Sequence, residues 1–165
     1  MAKKMSEHGA GTPATVALGQ AGIHFTPHLY HHDAAATNFG LEAAEKLGLD
    51  PERVFKTLLA DADGQLVVGI VPVTGTLDLK ALAAALGAKK AVMADVALAE
   101  RKTGYVVGGI SPIGQKQAHP TVIDESAILF DTVFVSGGRR GFDIELSPDD
   151  LAAVTAGRFA PIARA

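Results

Sequence analysis

The spacing of apolar residues along the chain predicts five helices. Apolar residues recur three and four positions apart at about 13 to 21, 38 to 48, 78 to 87, 95 to 104 and 148 to 156. Each segment has a Thr, Asn, Asp or Ser at its start that can cap the first turn, and four of them end at a glycine. In the second helix, the pattern places Leu41, Ala44 and Leu47 on the inward face.

Apolar runs between the helices predict the strands. VFKTLLA (54 to 60) and LVVGIVPV (66 to 73) flank Asp63-Gly64, which is a strong hairpin signal, so the two strands are predicted to pair antiparallel. FTPHLYHH is a short extended segment, and three further strands are predicted at TVID, TVFVS and FDIEL, with GGRRG as the turn between the last two. Hairpins are mixed with helices and do not alternate strictly with them, which favours a mixed, partly antiparallel α/β sheet over a doubly wound parallel one.

Length and composition indicate one folded domain. The chain has 165 residues, of which 48% are hydrophobic and 20% charged, enough apolar surface for a core. Residues 1 to 11 are predicted to be a disordered or vector-derived lead, and residues 12 to 165 the domain. The sequence shows neither a signal peptide nor an apolar run of about 18 residues, so we expect a cytoplasmic protein and no membrane contact.

Charge and cysteine content restrict the chemistry. Lys and Arg number 15 against 18 Asp and Glu, so a nucleic-acid partner requires a local basic patch. Cysteine is absent, which excludes disulfides, thiolate zinc sites and a thiol nucleophile supplied by the protein. GxSxG, GxGxxG and HExxH motifs are absent, and GISPIGQK (109 to 116) lacks the adjacent Gly-Lys-Ser/Thr of a phosphate loop.

Lys56 is the most informative single residue, because it interrupts an apolar strand. It either extends from an edge strand towards solvent or places its ammonium in a pocket, where it could bind an anion or the phosphate and ribose of a nucleotide. The glycine-rich loop at 108 to 114 either is a simple turn or presents backbone N–H groups to a developing oxyanion. Likewise, Arg139 and Arg140 either belong to a solvated turn or bind phosphate.

Three histidines near Asp33 are the candidate metal ligands. His28, His31 and His32 could ligate an ion, but neighbouring residues of a strand project to opposite faces. A solvated strand end is therefore the favoured interpretation, and we predict neither a metal nor a cofactor.

Five segments keep an order and spacing that is more specific than any of them alone. They are TNFG (37 to 40), VFKTLL (54 to 59), LDLKALAAALGAKK (77 to 90), TGYVVGGISPIGQK (103 to 116) and VSGGRRGFDIEL (135 to 146). Together they resemble the YbaK/ProX family of aminoacyl-tRNA deacylases over about residues 13 to 164, and most of all its bacterial YbaK type. The segment at 31 to 36 departs from the family pattern, since Ala34 stands where a proline often follows the aspartate.

The resemblance implies a single compact domain, with a mixed, mostly antiparallel, barrel-like curved sheet flanked by helices. It also implies the site. The catalytic positions are Lys56, Gly109, Ser111 and Asp143; the substrate-binding positions are Tyr30, Phe39, Gly108, Ile110, Pro112, Ser136 and Gly137. Apart from the resemblance, we predict that the tRNA phosphates bind a local basic set: Lys89, Lys90, Lys116, Arg139 and Arg140.

The activity that the resemblance implies is hydrolysis of cysteine mischarged on tRNA(Pro), with Cys-tRNA(Cys) as a further candidate substrate and prolyl-tRNA synthetase as a candidate partner. In the family, the cysteinyl thiol attacks its own ester carbonyl, and the enzyme contributes position and electrostatics. Three alternatives remain: a deacylase for another amino acid such as Ala, a non-catalytic module that binds the tRNA acceptor end or an aminoacyl nucleotide, and a metal-dependent hydrolase that uses the histidines.

Overall fold

The computed structural model describes residues 11–165, so the predicted lead lies outside the described residues except for Gly11. All five predicted helices are confirmed: α1 (Pro13–Ala21), α2 (Phe39–Leu47), α3 (Leu79–Leu86), α4 (Val96–Thr103) and α5 (Pro148–Thr155). Each starts at a side-chain cap, formed by Thr12, Asn38, Asp78, Asp95 and Ser147 in turn. Two short 3-10 helices cover Pro51–Arg53 and Glu125–Leu129. No described helix is both long enough and apolar enough to cross a membrane.

The prediction for the inward face of α2 is wrong at Leu41. Leu41 is 41% exposed, whereas Glu42 is buried beside Ala43 and Ala44. The Glu42 carboxylate accepts hydrogen bonds from the backbone N–H of Asp33, at 2.7 Å, and binds His32 Nδ1, also at 2.7 Å. These bonds fix the preceding loop onto α2, which periodicity alone does not indicate.

Within residues 11–165, ten strands form three sheets. They are β1 (Thr26–Leu29), β2 (Phe55–Ala62), β3 (Gln65–Pro72), β4 (Thr76–Leu77), β5 (Ala91–Met93), β6 (Thr121–Asp124), β7 (Val133–Arg139), β8 (Phe142–Leu146), β9 (Arg158–Ala160) and β10 (Ala163–Arg164). The five-stranded sheet has the order β5-β2-β3-β6-β9, and the other two are β1-β8-β7 and β10-β4. Among the strand pairs within residues 11–165, β3-β6 and β6-β9 are parallel and the others are antiparallel, which confirms the mixed, mostly antiparallel sheet.

The two larger sheets meet at a single bridge between Val54 and Phe134. They therefore approach the predicted barrel without closing, since no other strand pairing among residues 11–165 joins them. The predicted hairpin is confirmed, with Ala62 opposite Gln65 across Asp63-Gly64. By contrast, the predicted turn GGRRG is too long: Gly137, Gly138 and Arg139 belong to β7, and a bulge shifts the register between Ser136 and Arg139.

Candidate active site

The candidate cavity lies where β2 has a strand neighbour on one side only. β3 pairs with β2 over its whole length, but β5 covers only residues 60 to 62, and the bridge to β7 is at Val54. A cavity of about 330 Å³ opens along the remaining edge, lined by residues 55 to 59, and at its end Leu59 O accepts from Ala94 N–H at 3.0 Å. Val73 N–H donates to Val54 O at 2.8 Å, and hydrogen bonding alternates along an antiparallel pair. The backbone N–H and C=O of Thr57 therefore point away from β3, towards the open edge.

Strand alternation divides the cavity wall into two halves. Phe55 and Leu59 project from the same face of β2 as Thr57 and belong to the main apolar core. Near them the wall is completed by apolar side chains: Met93, Val96, Ala99 and Ile110. Lys56 projects from the opposite face. The cavity lining also includes Tyr30, Ser136 and Asp143, whose side chains can form hydrogen bonds or carry charge.

Lys56 lies partly buried in this wall. Among residues 11–165 it forms neither an ion pair nor a side-chain hydrogen bond, and burial alone lowers the pKa of its ammonium. The sequence prediction that its charge faces a pocket agrees with this placement. An uncompensated ammonium at a cavity wall can bind an anionic or electron-rich ligand group.

Asp143 contributes the second ionisable group. Its side chain is 6% exposed, has no ion-pair partner in the described part of the chain, and lines the same cavity. Burial raises the pKa of the carboxyl from 3.8 to about 7. Burial, followed by the nearby Asp143 charge, also raises the pKa of Tyr30 to about 12, so Tyr30 stays a neutral hydroxyl. The cavity thus contains a cation and a titratable acid that do not neutralise each other.

The glycine-rich loop reaches the cavity at two residues. Gly108 and Ile110 line it, and their backbone N–H groups have no hydrogen-bond acceptor among residues 11–165. Gly109 N–H instead donates to Val106 O at 2.8 Å, and the buried Ser111 hydroxyl accepts from Ile113 N–H at 3.2 Å. Gly109, Ser111, Pro112 and Gly137 do not line the cavity, and their part in the site stays a prediction.

Close packing of the backbone explains the glycines of this loop. Gly108 has a φ of +88°, and a Cβ there would lie 2.7 Å from Arg140 Nε and 3.0 Å from the Phe39 ring. Gly109 approaches so closely that a Cβ would lie 2.6 Å from Arg139 Cα. Arg140 Nε also donates to Val107 O at 2.9 Å, and its guanidinium lies 4.9 Å from the centre of the Phe39 ring. Phe39, Gly108 and Arg140 therefore form one packed rim of the cavity.

The other predicted tRNA-binding residues lie outside this rim. Arg139 is exposed, with its guanidinium 5.5 Å from the Phe142 ring centre. Lys89 and Lys90 are exposed beside the hairpin turn, where their backbone N–H groups donate to the Asp63 carboxylate. Lys116 is exposed at the end of the glycine-rich loop.

The candidate metal ligands do not converge. His28 Nε2 lies 2.9 Å from Glu145 Oε1, and His32 is bound to Glu42. Within residues 11–165, no three His, Asp or Glu side chains form a group that could hold a metal ion.

The sequence analysis did not identify Thr57, Met93 or Val96 as cavity residues. Met93 and Val96 are 50% and 58% exposed at its mouth, and no local motif marks them. Thr57 follows Lys56 directly in the VFKTLL segment, so its position in the sequence could have indicated that it lies near the same cavity.

Comparisons with known proteins identify the family to which the chain belongs. A family model described as "Aminoacyl-tRNA editing domain" matches residues 34–154. A protein of Enterococcus faecalis, provisionally named Cys-tRNA(Pro)/Cys-tRNA(Cys) deacylase EbsC, is 43% identical over 120 residues, which are 72% of this chain and 73% of that protein. A proline–tRNA ligase of Moorella thermoacetica is 35% identical over 68 residues, or 41% of this chain and 12% of the ligase.

The fold is also found among solved structures. A crystal structure provisionally identified as a trans-editing enzyme for prolyl tRNA synthetase superposes with a TM-score of 0.82 at 23% identity, covering 93% of this chain and 96% of the other. At that identity the likeness concerns the fold, whereas the family match covers most of the chain. The chain therefore belongs to the aminoacyl-tRNA editing domain family, and its activity is that of an aminoacyl-tRNA deacylase.

Proposed function

We propose that this protein removes cysteine from mischarged tRNA, with Cys-tRNA(Pro) as its main substrate and Cys-tRNA(Cys) as a second one. The observation that carries the proposal is the cavity that contains both Lys56 and Asp143 without pairing them. The substrate named for the Enterococcus faecalis relative supports the choice of cysteine.

The aminoacyl end of a tRNA matches the groups in this cavity. Its α-ammonium is a cation that the Asp143 carboxylate can bind, and the terminal phosphate or ribose offers oxygen atoms to Lys56. The amino-acid side chain then occupies the apolar half, beside Phe55, Leu59 and Ile110. A volume of about 330 Å³ limits the bound part to a small amino acid and part of the adenosine.

The chain has neither a cysteine nor a GxSxG motif, so in the proposed reaction the nucleophile comes from the substrate. In the proposed reaction, the cysteinyl sulfur attacks the ester carbonyl carbon, and a C–S bond forms. The ester C–O bond then breaks, and the thiol proton passes to the ribose oxygen that leaves with the tRNA. The other product is a cyclic thioester, which water opens to cysteine. The unoccupied N–H groups of Gly108 and Ile110 are the candidate donors to the oxyanion.

Contacts with the rest of the tRNA would begin at the rim. Arg140 lies there, and Lys89, Lys90, Lys116 and Arg139 are further exposed cations for the phosphates. Prolyl-tRNA synthetase is the proposed partner that delivers the substrate, in line with the partial likeness to a proline–tRNA ligase.

Single-turnover deacylation of Cys-tRNA(Pro) and Ala-tRNA(Pro) at saturating enzyme tests this function. Substrate assistance predicts much faster release of cysteine, since tethered nucleophiles reach effective molarities of about 10⁵ M or more. Alkylation of the substrate thiol should abolish the reaction, and a trapping reagent should capture the cyclic thioester. Equal rates for the two substrates would refute substrate assistance and favour an enzyme-positioned water. Binding without turnover of either substrate would instead identify a non-catalytic module.

A further inference from the structure

One polar atom in the cavity wall is not explained by the groups assigned so far. Thr57 Oγ1 is buried and has no hydrogen-bond partner, and among residues 11–165 it is the one buried side-chain nitrogen or oxygen in that state. Buried hydroxyls almost always have a partner, because leaving one without a bond costs about 1–3 kcal/mol. An orphaned hydroxyl at a ligand cavity is therefore a candidate for a bond that forms only when the ligand is present.

The position of Thr57 indicates which part of the ligand it would meet. It lies on β2 between Phe55 and Leu59, and all three project from the same face of the strand, into the apolar half of the cavity. Lys56 and Asp143 belong to the other half, where the α-ammonium and the ribose are expected. The apolar half is the place for the amino-acid side chain, and Thr57 contributes its one hydroxyl.

We propose that the Thr57 hydroxyl is a specificity-determining contact, which hydrogen-bonds the polar γ atom of a small substrate side chain, the thiol of a cysteinyl group. This inference rests on the proposed function and names the residue of that same site that selects the substrate side chain. A thiol can donate to the hydroxyl oxygen or accept from its hydrogen, and the hydroxyl adapts to either arrangement by rotating. Rotation of χ1 by one staggered step moves the hydroxyl into the position held by the methyl group or by the Cβ hydrogen, and such a rotamer can turn it towards the ligand.

The open edge of β2 makes such a contact possible. A strand paired on both sides would present only side chains, and a neighbouring strand would fill the space beside Thr57. Here, the backbone N–H and C=O of Thr57 also point to the open edge, because the β2–β3 register directs them away from β3. An alanyl side chain offers no partner to the hydroxyl and leaves it orphaned, so the site should discriminate against alanine.

Calorimetry with two non-hydrolysable ligands tests the assignment. The probes are adenosine linked through a 3′-amide to cysteine or to alanine, and they are titrated into the wild type, Thr57→Val, Thr57→Ser and Thr26→Val. Val preserves the shape of Thr57 without the hydroxyl, Ser keeps the hydroxyl, and Thr26 is an exposed strand threonine outside the cavity. The wild type should prefer the cysteinyl probe by about fivefold, which is the usual net value of one hydrogen bond.

Thr57→Val should lose this preference, whereas Thr57→Ser and Thr26→Val should keep it. The melting temperature of Thr57→Val should equal or exceed that of the wild type, because a methyl group replaces an orphaned hydroxyl. A purely structural role predicts the reverse: lower stability and equal weakening of both probes. Either that result, or a preference that persists in Thr57→Val, or a wild type that does not prefer the cysteinyl probe, overturns the inference.

The same variants separate this inference from the proposed function. If the wild type deacylates Cys-tRNA(Pro) but Thr57→Val keeps the cysteinyl preference, the function stands and the role of Thr57 is wrong. If the wild type prefers the cysteinyl probe in a Thr57-dependent way but does not hydrolyse Cys-tRNA(Pro), the contact stands and the proposed reaction is wrong.

Discussion

The two halves of strand β2 have opposite surroundings. Residues 60 to 62 lie between β3 and β5, and Ala60 and Ala62 are buried in an apolar cluster with Leu82. Residues 55 to 59 have β3 on one side and the cavity on the other. One continuous strand thus passes from the interior of a sheet to the wall of a binding site within eight residues.

The difference shows how a sheet can support a site without a dedicated loop. In the paired half, the backbone groups on both edges of the strand have neighbouring strands as partners. Its buried side chains pack in the apolar cluster, so this half stabilises the fold. In the open half, Lys56 and Thr57 line the cavity, and the Lys56 ammonium and Thr57 Oγ1 have no partner among residues 11–165. The backbone N–H and C=O of Thr57 point to the same open edge. Such groups contribute little to stability, and a ligand can complete their interactions.

The largest expected effect comes from Lys56→Ala in the open half. We expect kcat/KM for Cys-tRNA(Pro) to fall on the order of 100-fold or more, because the variant removes an uncompensated charge that the site directs at the ligand. Circular dichroism and the unfolding midpoint should stay close to those of the wild type, since Lys56 forms no ion pair or hydrogen bond within residues 11–165.

Leu82→Ala in the apolar cluster beside the paired half is the matched control. Leu82 is fully buried, and its truncation should lower the free energy of unfolding by about 2–5 kcal/mol. The activity per folded molecule should change little. If Lys56→Ala were the unstable variant and Leu82→Ala the inactive one, the division of β2 into a stabilising and a functional half would be wrong.

Asp143→Asn tests the acidic group of the open half through its pH dependence. The pKa of Asp143 is about 7 in the folded protein and about 3.8 in the unfolded chain. Between those values the folded state keeps a proton that the unfolded state has lost, so wild-type stability falls as the pH rises towards 7. Asn does not ionise. Its advantage in unfolding free energy should therefore grow between pH 5 and pH 8, on the order of 2 kcal/mol, as measured by urea unfolding.

Asp143→Asn should lower the activity in the same pH range in which it raises the free energy of unfolding. If ionised Asp143 binds the α-ammonium, wild-type kcat/KM should rise with pH through about 7, and this rise should be absent in Asp143→Asn. An unchanged pH profile in the variant would remove Asp143 from the binding of the substrate.

Local sequence patterns were sufficient for most of the fold. Caps, glycine stops and the Asp63-Gly64 turn are encoded within a few residues, so the helices and the β2–β3 hairpin could be predicted. The short strands β4, β5, β9 and β10 could not, because two or three residues carry no periodicity and depend on pairing with distant segments.

The sequence indicated the part of the candidate site where a charged residue interrupts an apolar strand. It did not indicate the parts whose position depends on tertiary packing. Lys56 was prominent for that reason, and the resemblance to the family added Asp143, Tyr30 and Phe39. The open edge of β2 depends on where β5 and β7 end, which no single segment records. The occupation of Gly109 N–H by Val106 likewise follows from the loop's folded shape.

The smallest expected effect concerns Arg140, which lies on the rim of the open half. Its guanidinium packs over Phe39 and bonds Val107 O, but the side chain is exposed and can reach a phosphate. The logarithm of tRNA affinity should fall against the logarithm of salt with a slope of about two to four in the wild type, and Arg140→Ala should reduce that slope by about one. Lys80 is an exposed cation on α3 away from the cavity, so Lys80→Ala is the control and should keep the wild-type slope.

Because one rim contact between Arg140 and a phosphate affects binding more than the chemical step, Arg140→Ala should raise KM a few-fold while kcat stays near the wild-type value. A slope that Arg140→Ala leaves unchanged would place the tRNA on another side of the cavity, and an affinity independent of salt would mean that the protein recognises only the aminoacyl end.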